Sequence, residues 1–424
     1  MGRLRIFYLM KSGSEEGVGS TSVPAGPRPV LLAGRSEGIG TLRTWVFAGA
    51  CGLIVANIYF AQPLIGPIGR ALKIQPGTVG LIVTVTQLGY AAGLALLVPL
   101  GDLVENRKLI STVLIGAVAG LAAMAAAGTP AVFFAGAFLL GLCSVAAQIL
   151  VPFAAQLAPD ASRGRVVGNV MSGLMIGILL SRPAASLIAD LWGWRMVFGF
   201  SAALTVVLSL VLARILPVRH PGTGLSYSAV LRSLAQLLVG TPVLQRRAVY
   251  QAALFGAFSL FWTGVPLLLE GPAFGFNQRG IGLFALAGAA GAVAAPLAGR
   301  LADRGWTRFC SGLFMAMVAA AFVIGWLGAA WQSIGALVAA AIVLDFGVTA
   351  NLVLGQRAIF SLAPEIRSRL NGLFIAIFFL GGAAGSALAG IAYARGGWAA
   401  VSSIGLCFAA ACLMVYATEF WRRH

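Results

Sequence analysis

The sequence predicts an all-α membrane protein with twelve transmembrane helices in two related halves of six. The first observation is composition: 59% of the 424 residues are hydrophobic and 10% are charged, whereas a soluble domain carries about 25% charged residues. The second is that long runs are apolar on every side, which favours helices over the alternating strands of a membrane barrel. The third is that sequence elements recur about 205 residues apart.

Twelve apolar runs are long enough to cross a bilayer core, which needs about 20 helical residues. We number them spans 1 to 12. Their predicted positions are 43–66, 77–101, 108–127, 131–156, 166–190, 195–216, 246–269, 279–301, 308–328, 333–357, 368–392 and 397–417. Residues 1–42 are predicted to be a disordered cytoplasmic tail. The segment 217–245 is the longest connection and is predicted to hold a short amphipathic helix on the membrane surface. It separates a first half at 43–216 from a second half at 246–424.

The net charge of +17 raises the question of a nucleic-acid partner, which the distribution of basic residues answers. In the twelve-span arrangement with both termini in the cytoplasm, 23 Lys and Arg residues lie on the inner side and 5 on the outer side. This is the positive-inside bias of membrane proteins. We therefore expect a multi-pass protein of the cytoplasmic (inner) membrane that contacts the lipid bilayer and binds no nucleic acid.

No motif of an enzyme or of a metal protein is found in the sequence. The five cysteines lie singly in apolar runs, without metal-ligand spacing, and only two histidines are present. A Walker lysine motif and a nucleophile elbow are also absent. We expect neither catalysis nor a cofactor nor a metal.

Four sequence elements recur in the same order in the two halves. The segment Leu157–Val166 is similar to Leu362–Leu370, and the Gly193-Trp194 pair recurs as Gly397-Trp398. A charged island at 99–108 recurs at 299–308, and Gly173–Ile176 recurs as Gly372–Ile375. Parallel six-span repeats are an architecture of secondary transporters, whose substrate site lies between the halves near the bilayer midplane.

The two charged islands resemble the signature loop of the major facilitator superfamily. Its glycine, aspartate and basic residues are matched in the first island by Gly101, Asp102, Arg107 and Lys108, and in the second by Gly299, Asp303, Arg304 and Arg308. The resemblance implies that Asp102, partnered by Arg107, and Asp303, partnered by Arg308, tie the halves together when the cytoplasmic side closes. The alternative is that these charges only keep the loops in the cytoplasm.

Further segments resemble a bacterial efflux branch of the same superfamily, related to drug, sugar and nucleoside antiporters. They are Asn57–Leu64, Pro99–Asp102 and Arg367–Gly372. The resemblance implies rocker-switch alternating access, with a small solute exported in exchange for protons. The alternatives are proton symport or facilitated uptake, and a membrane sensor that has lost transport. We expect a monomer.

Two charged residues are predicted inside the spans, where a charge costs about 2.5–3.5 kcal/mol and normally faces a cavity or a partner. Asp345 in span 10 is the candidate for binding protons or a cationic part of a substrate; the alternative is a structural carboxylate. Arg182 in span 5 is the candidate for binding an anionic or carbonyl group of a substrate, or for neutralising Asp345 across the interface. The alternative is an arginine that only packs or extends towards the membrane surface.

Neutral polar and aromatic residues in the spans are candidates for lining the substrate cavity, because a mixed aromatic and amide surface suits an amphipathic or ring-containing solute. Helix packing is the alternative for each of them. Two pairs share a helix face by their spacing of three, and Thr349 and Gln356 lie on the face of Asp345. The candidates are Asn57, Tyr59, Gln62, Gln87, Tyr90, Gln148, Trp262, Thr349 and Gln356.

Overall fold

The computed structural model describes residues 40–159, 161–218, 226–362 and 366–421. Eleven segments in it are long and apolar enough to cross a membrane. The last of them, Arg367–Trp421, is two spans, because the backbone leaves the helical conformation at Gly396 and Gly397. The other ten are Thr41–Ala71, Pro76–Asp102, Asn106–Ala126, Pro130–Leu157, Arg163–Trp192, Trp194–Ile215, Pro242–Glu270, Gln278–Asp303, Thr307–Ala330 and Ile334–Phe360. The predicted all-α fold of twelve spans is thus confirmed, while the predicted tail falls almost wholly outside the described residues.

Spans 1, 4 and 8 are each divided into two α-helices. Span 1 passes through a short 3-10 turn at Gln62–Leu64 before it resumes as Ile65–Ala71. Span 4 consists of Pro130–Cys143 and Ala146–Leu157. Span 8 begins as Gln278–Ala285, tightens into a 3-10 turn at Leu286–Ala289 and continues as Ala290–Asp303. A 3-10 stretch inside a helix often marks a functional position.

Each span of the first half packs against the spans that correspond to the neighbours of its counterpart, six spans later, in the second half. Span 1 packs against span 5, span 2 against span 4 and span 3 against span 6; the corresponding pairs 7 with 11, 8 with 10 and 9 with 12 also pack together. Between the halves, span 2 packs against span 11 and span 5 against span 8. These two contacts are equivalent to each other in the repeat, so the fold has the approximate two-fold symmetry that the sequence repeats predict.

The recurring Gly-Trp pair forms the same turn in both halves. Gly193 has φ 86° and Gly397 has φ 58°, a region that favours glycine because it has no Cβ. The tryptophan that follows each glycine is buried, at 7% exposure for Trp194 and 5% for Trp398. The repeat therefore preserves a sharp turn and the ring that packs beneath it.

The end of the bundle where span 1 finishes, which we call the opposite end, is closed by direct contact between the halves. Gly80 of span 2 lies so close to the backbone of Ser386 in span 11 that no side chain would fit between them. Two ion pairs connect the halves at this end. They are Arg70 with Glu270 at 2.7 Å and Arg279 with Asp190 at 2.6 Å.

The end that holds residues 40 and 421, which we call the terminal end, is bridged by the linker helix Tyr227–Gly240. Its Tyr227 hydroxyl donates to the Leu96 carbonyl of span 2 at 2.9 Å, and its Ser233 accepts from Arg369 of span 11 at 3.3 Å. Val230 and Leu234 of this helix are buried, and they line a crevice together with residues of spans 2 and 11. The linker helix thus contacts both halves.

The charged islands have different partners from those that the resemblance implied. Asp303 pairs with Arg357 of span 10, whereas Arg308 lies 3.5 Å from Glu419 of span 12. Asp102 lies 3.9 Å from Arg369 of the second half. The expected Asp303–Arg308 pair is wrong, because span 9 turns Arg308 towards span 12 and its ring neighbour Phe420. Asp102 therefore lies near a residue of the second half, and its role as a link between the halves stays a prediction.

Candidate functional site

The centre of the interface between the halves contains the buried guanidinium of Arg182. This span 5 residue is 3% exposed. Its Nε donates to Gln62 Oε1 of span 1 at 2.9 Å. Three rings surround the guanidinium carbon, Trp262 at 4.4 Å, Phe258 at 5.1 Å and Tyr59 at 5.4 Å from their centroids. Cation–π attraction of this kind is stronger in a desolvated site, so aromatic rings from both halves stabilise the buried charge.

Asp345 of span 10 supplies the opposite charge at the same place. It is 4% exposed, and its Oδ1 accepts a hydrogen bond from Trp262 Nε1 at 2.8 Å. Trp262 thus contacts the arginine through its ring face and the aspartate through its N–H. The indole fixes both charged groups, one from each half, in a defined relation.

Gly288 lies against both charged groups. It lies in the 3-10 turn of span 8. A Cβ on it would be 2.9 Å from Asp345 Oδ2 and 3.4 Å from Arg182 Nη1. The backbone of span 8 can lie this close to the carboxylate because this residue has no side chain. The interruption of span 8 is therefore part of the site.

Two hydrogen-bond donors in the site have no acceptor. Gln62 Nε2 and Arg182 Nη2 are both buried without a partner among the described residues. A buried donor without a partner costs about 1–3 kcal/mol, and more when it is charged. A small cavity lined by Arg182, Trp262 and apolar side chains of spans 1, 7 and 8 adjoins the guanidinium. The site therefore has hydrogen-bonding capacity that its own described residues do not fill.

An aromatic cluster separates this site from the terminal end. Phe255 of span 7 stacks on Phe378 of span 11 at 3.6 Å between centroids, and Tyr90 of span 2 lies 4.5 Å from Phe379 of span 11. The cluster joins the halves and leaves its rings at most 8% exposed. Together with the contacts at the opposite end, it encloses the charged site.

A buried polar ladder holds spans 2, 7 and 11 together beside the aromatic cluster. Gln87 Nε2 donates to Ser259 Oγ at 2.9 Å, and Gln87 Oε1 accepts from Ser386 Oγ at 3.2 Å. Thr84 and Ser386 hydroxyls are 2.9 Å apart. Hydrogen bonds of this kind across helices contribute about 1 kcal/mol or less each in membrane proteins, which allows an interface to form and open.

The predicted residues fall into three groups in the structure. Arg182, Asp345, Tyr59, Gln62 and Trp262 meet in the central site. Tyr90 and Gln148 hydrogen-bond to each other at 3.2 Å beneath the site, close to the ladder of Gln87.

The remaining predictions for the cavity place residues elsewhere. Asn57 hydrogen-bonds to Ser201 of span 6 and so lies inside the first half. Gln356 donates to Asn371 of span 11 at 3.1 Å, about three turns from Asp345. Thr349 packs against Gly291 of span 8, one turn from Asp345. Asp345, Thr349 and Gln356 share a face of span 10, but each contacts a different residue on the neighbouring spans.

Sequence reasoning missed Gly288, Ser259 and Ser386. One glycine among 55 and two hydroxyls in apolar runs have no pattern that would distinguish them. Their importance comes from neighbours on other spans. In the described part of the chain there is also no group of three or more potential metal ligands.

The chain is similar to one protein family and to transporters of other bacteria. The family model of the Major Facilitator Superfamily matches residues 47–333 of this chain. The uncharacterized transporter YgaY of Escherichia coli O157:H7 is 40% identical over 374 residues, covering 88% of this chain and 94% of that protein. The probable transporter SCO4007 of Streptomyces coelicolor is 37% identical, covering 91% of this chain and 89% of that protein.

Solved structures with a similar fold are transporters as well. A variant of the nucleoside transporter NupG superposes with a TM-score of 0.68 at 15% identity, covering 88% of this chain and 98% of that one. A bacterial homolog of the human lysosomal transporter Spinster, in an inward-facing and occupied conformation, gives 0.70 at 14% identity, covering 88% and 95%. At these identities the likeness concerns the fold.

The family match and the relatives at 40% and 37% identity identify the chain as a membrane transporter rather than an enzyme. The chain belongs to the Major Facilitator Superfamily.

Proposed function

We propose that this protein is a proton-coupled transporter that moves a small solute across the cytoplasmic membrane by alternating access. The observation that carries the proposal is the convergence of Arg182 from the first half and Asp345 from the second half on one enclosed site. A carboxylate held between the halves can link its protonation to their relative position, because a charge facing a buried cation interacts with it much more strongly than a neutral acid does.

The remaining contacts supply two closures for such a cycle. The ion pairs and the Gly80 contact close the opposite end, while the aromatic cluster and the linker helix close the terminal end. Each consists of a few contacts, and an exchange between two states needs a difference of only a few kcal/mol. Rocking of one half on the other would open the two closures in turn.

The coupling direction distinguishes two versions of this function. Efflux in exchange for protons is the version that the sequence resemblance implies. Uptake together with protons is favoured by the unfilled donors of Arg182 and Gln62, because an anion bound to them would add a negative charge that a proton on Asp345 compensates. In membrane vesicles with the terminal end outward, antiport predicts solute entry driven by an acidic interior, and symport predicts entry driven by an acidic exterior.

The experiment uses purified protein in liposomes. Nucleosides, sugars, amino acids, organic acids and drugs are screened by thermal shift, and each solute that stabilises the protein is tested for counterflow and for accumulation driven by a pH gradient. We expect Asp345→Asn to retain counterflow and to lose the response to the pH gradient by at least about tenfold, because an amide cannot release a proton. Unchanged gradient-driven accumulation in this variant would refute the coupling role.

Glu105→Gln is the matched control. Glu105 is a carboxylate that is 9% exposed and pairs with Lys108 at the terminal end, away from the central site. Its neutralisation should leave the response to the pH gradient intact. Lack of counterflow by the wild-type protein for any solute that it binds would instead indicate a sensor.

A further inference from the structure

We propose that the solute is a small amphipathic monoanion, whose carboxylate or equivalent group binds Arg182 and Gln62, and that it binds together with one proton on Asp345. The inference rests on the proposed function, because it takes the central site to be the transport site. It adds the chemical class of the solute and the proton that binds together with it.

The unfilled groups of the site are donors. Arg182 Nη2 and Gln62 Nε2 are buried without acceptors, and the two residues are already held in place by their mutual hydrogen bond. Asp345, by contrast, has its Oδ1 bound to Trp262. A ligand with two acceptor atoms would satisfy both free donors at once. A guanidinium favours a carboxylate over a neutral acceptor, because charge-assisted hydrogen bonds are about twice as strong.

The walls next to the guanidinium are apolar. The adjoining cavity is lined by Pro63, Trp262, Val265, Ile281 and Phe284, and Arg182 is its one charged lining residue. A solute that binds there needs an apolar body behind its anionic group. A strongly hydrated dianion or a polyol would leave its polar groups without partners against these walls.

Charge balance requires the proton. Arg182 and Asp345 together are neutral, so an added anion would leave a net negative charge in a desolvated site, which is costly. Protonation of Asp345 restores neutrality, leaving the guanidinium paired with the anion. Among the described residues, the titratable groups that face Asp345 are Arg182 on span 5 and Tyr59 on span 1. Asp345 is the acid among them whose neutralisation compensates the anion.

The test measures binding of three probes of one size and three charges to the purified transporter in detergent, by calorimetry. The probes are benzoate, benzamide and benzylamine. We expect benzoate to bind most tightly, with an affinity that rises about tenfold for each unit of pH decrease as one proton is taken up per anion. Between about pH 6 and 8 benzoate itself stays ionised, so the pH dependence belongs to the protein.

Two variants test the assignment. Asp345→Asn imitates the protonated acid and should bind benzoate with little pH dependence, about as tightly as the wild type does at low pH. Arg182→Gln should weaken benzoate binding by about tenfold or more and abolish the preference over benzamide. Arg195→Gln is the matched control. Like Arg182, Arg195 lies over a tryptophan ring, but it is at the start of span 6 and donates to the backbone carbonyl of Ala127.

The outcomes separate this inference from the proposed function. Tighter binding of benzylamine or benzamide, absence of benzoate binding, or an affinity for benzoate that does not rise with falling pH would overturn the inference, and counterflow of another solute would leave the transport function standing. Proton-linked benzoate binding without counterflow of any solute would support the anion site and refute transport.

Discussion

At the scale of single residues, the site depends on one position that has no side chain. Gly288 lets the backbone of span 8 lie against Asp345 and Arg182, because a Cβ at this position would be 2.9 Å from Asp345 Oδ2 and 3.4 Å from Arg182 Nη1. Trp262 then links the two groups through its ring and its N–H. The electrostatics of the site are therefore controlled by a residue that carries no charge.

We predict that Gly288→Ala will reduce transport by at least about tenfold while leaving the fold intact, because the methyl group displaces the carboxylate of Asp345. Gly372→Ala is the control. Gly372 is also helical but has open space around the added atom, and it should raise stability slightly, by about 0.5–1 kcal/mol. Counterflow and thermal unfolding of both variants check the prediction. Equal transport by the two variants would contradict the role of Gly288.

At the scale of elements, the closures depend on how near the helix axes approach. Span 2 approaches span 11 at Gly80 and Ser386, and span 8 approaches span 5 where Gly282 faces Pro183 and Ser186. Small residues at helix contacts allow such close packing in membranes. The sequence contains 55 glycines, so composition alone does not identify which of them form these contacts.

We predict that Gly80→Leu will open the opposite end, because the side chain cannot fit between spans 2 and 11. The measurement is the distance between spin labels on cysteines placed at the exposed positions Lys73 and Arg395, after replacement of the native cysteines by serine. The label distance should lengthen in Gly80→Leu. The control is Gly77→Leu, at a neighbouring glycine with open space around its Cβ position, and it should keep the wild-type distance. A short distance in both variants would show that this contact does not close the protein.

At the scale of the whole molecule, the halves are connected by contacts that are individually weak. The Arg70–Glu270 pair joins them at the opposite end, with side-chain exposures of 69% and 14%. Exposed ion pairs of this kind contribute about 0–1 kcal/mol. A closure that depends on a few such contacts can be broken during each cycle.

We predict that Glu270→Gln will reduce the population closed at the opposite end by a few fold. The double variant Arg70→Glu/Glu270→Arg, which exchanges the two charges, should restore this population in part. Glu270 also accepts from Gln278 at 2.8 Å, so the reversed pair should not restore the population fully. The spin-label distances described above report the populations. A reversed pair that behaves like Glu270→Gln alone would show that the interaction is not electrostatic.

The sequence by itself determined the class of fold, because a bilayer requires long apolar helices and a positive-inside bias whatever their arrangement. It also determined the repeat, and it identified Arg182 and Asp345, because charges inside spans are costly and therefore rare. It did not determine their partners: the resemblance implied Arg308 for Asp303, whereas the structure pairs Asp303 with Arg357.

The tertiary structure alone decided which neutral residues belong to the site. Tyr59, Gln62 and Trp262 meet at the charged pair, while Asn57 and Gln356, equally polar and equally placed in spans, bond elsewhere. Gly288 entered the site without any sequence signal. The physical reason is that helical periodicity fixes which residues share a face of one helix, whereas the site is formed by five helices whose relative rotation and depth depend on packing throughout the bundle.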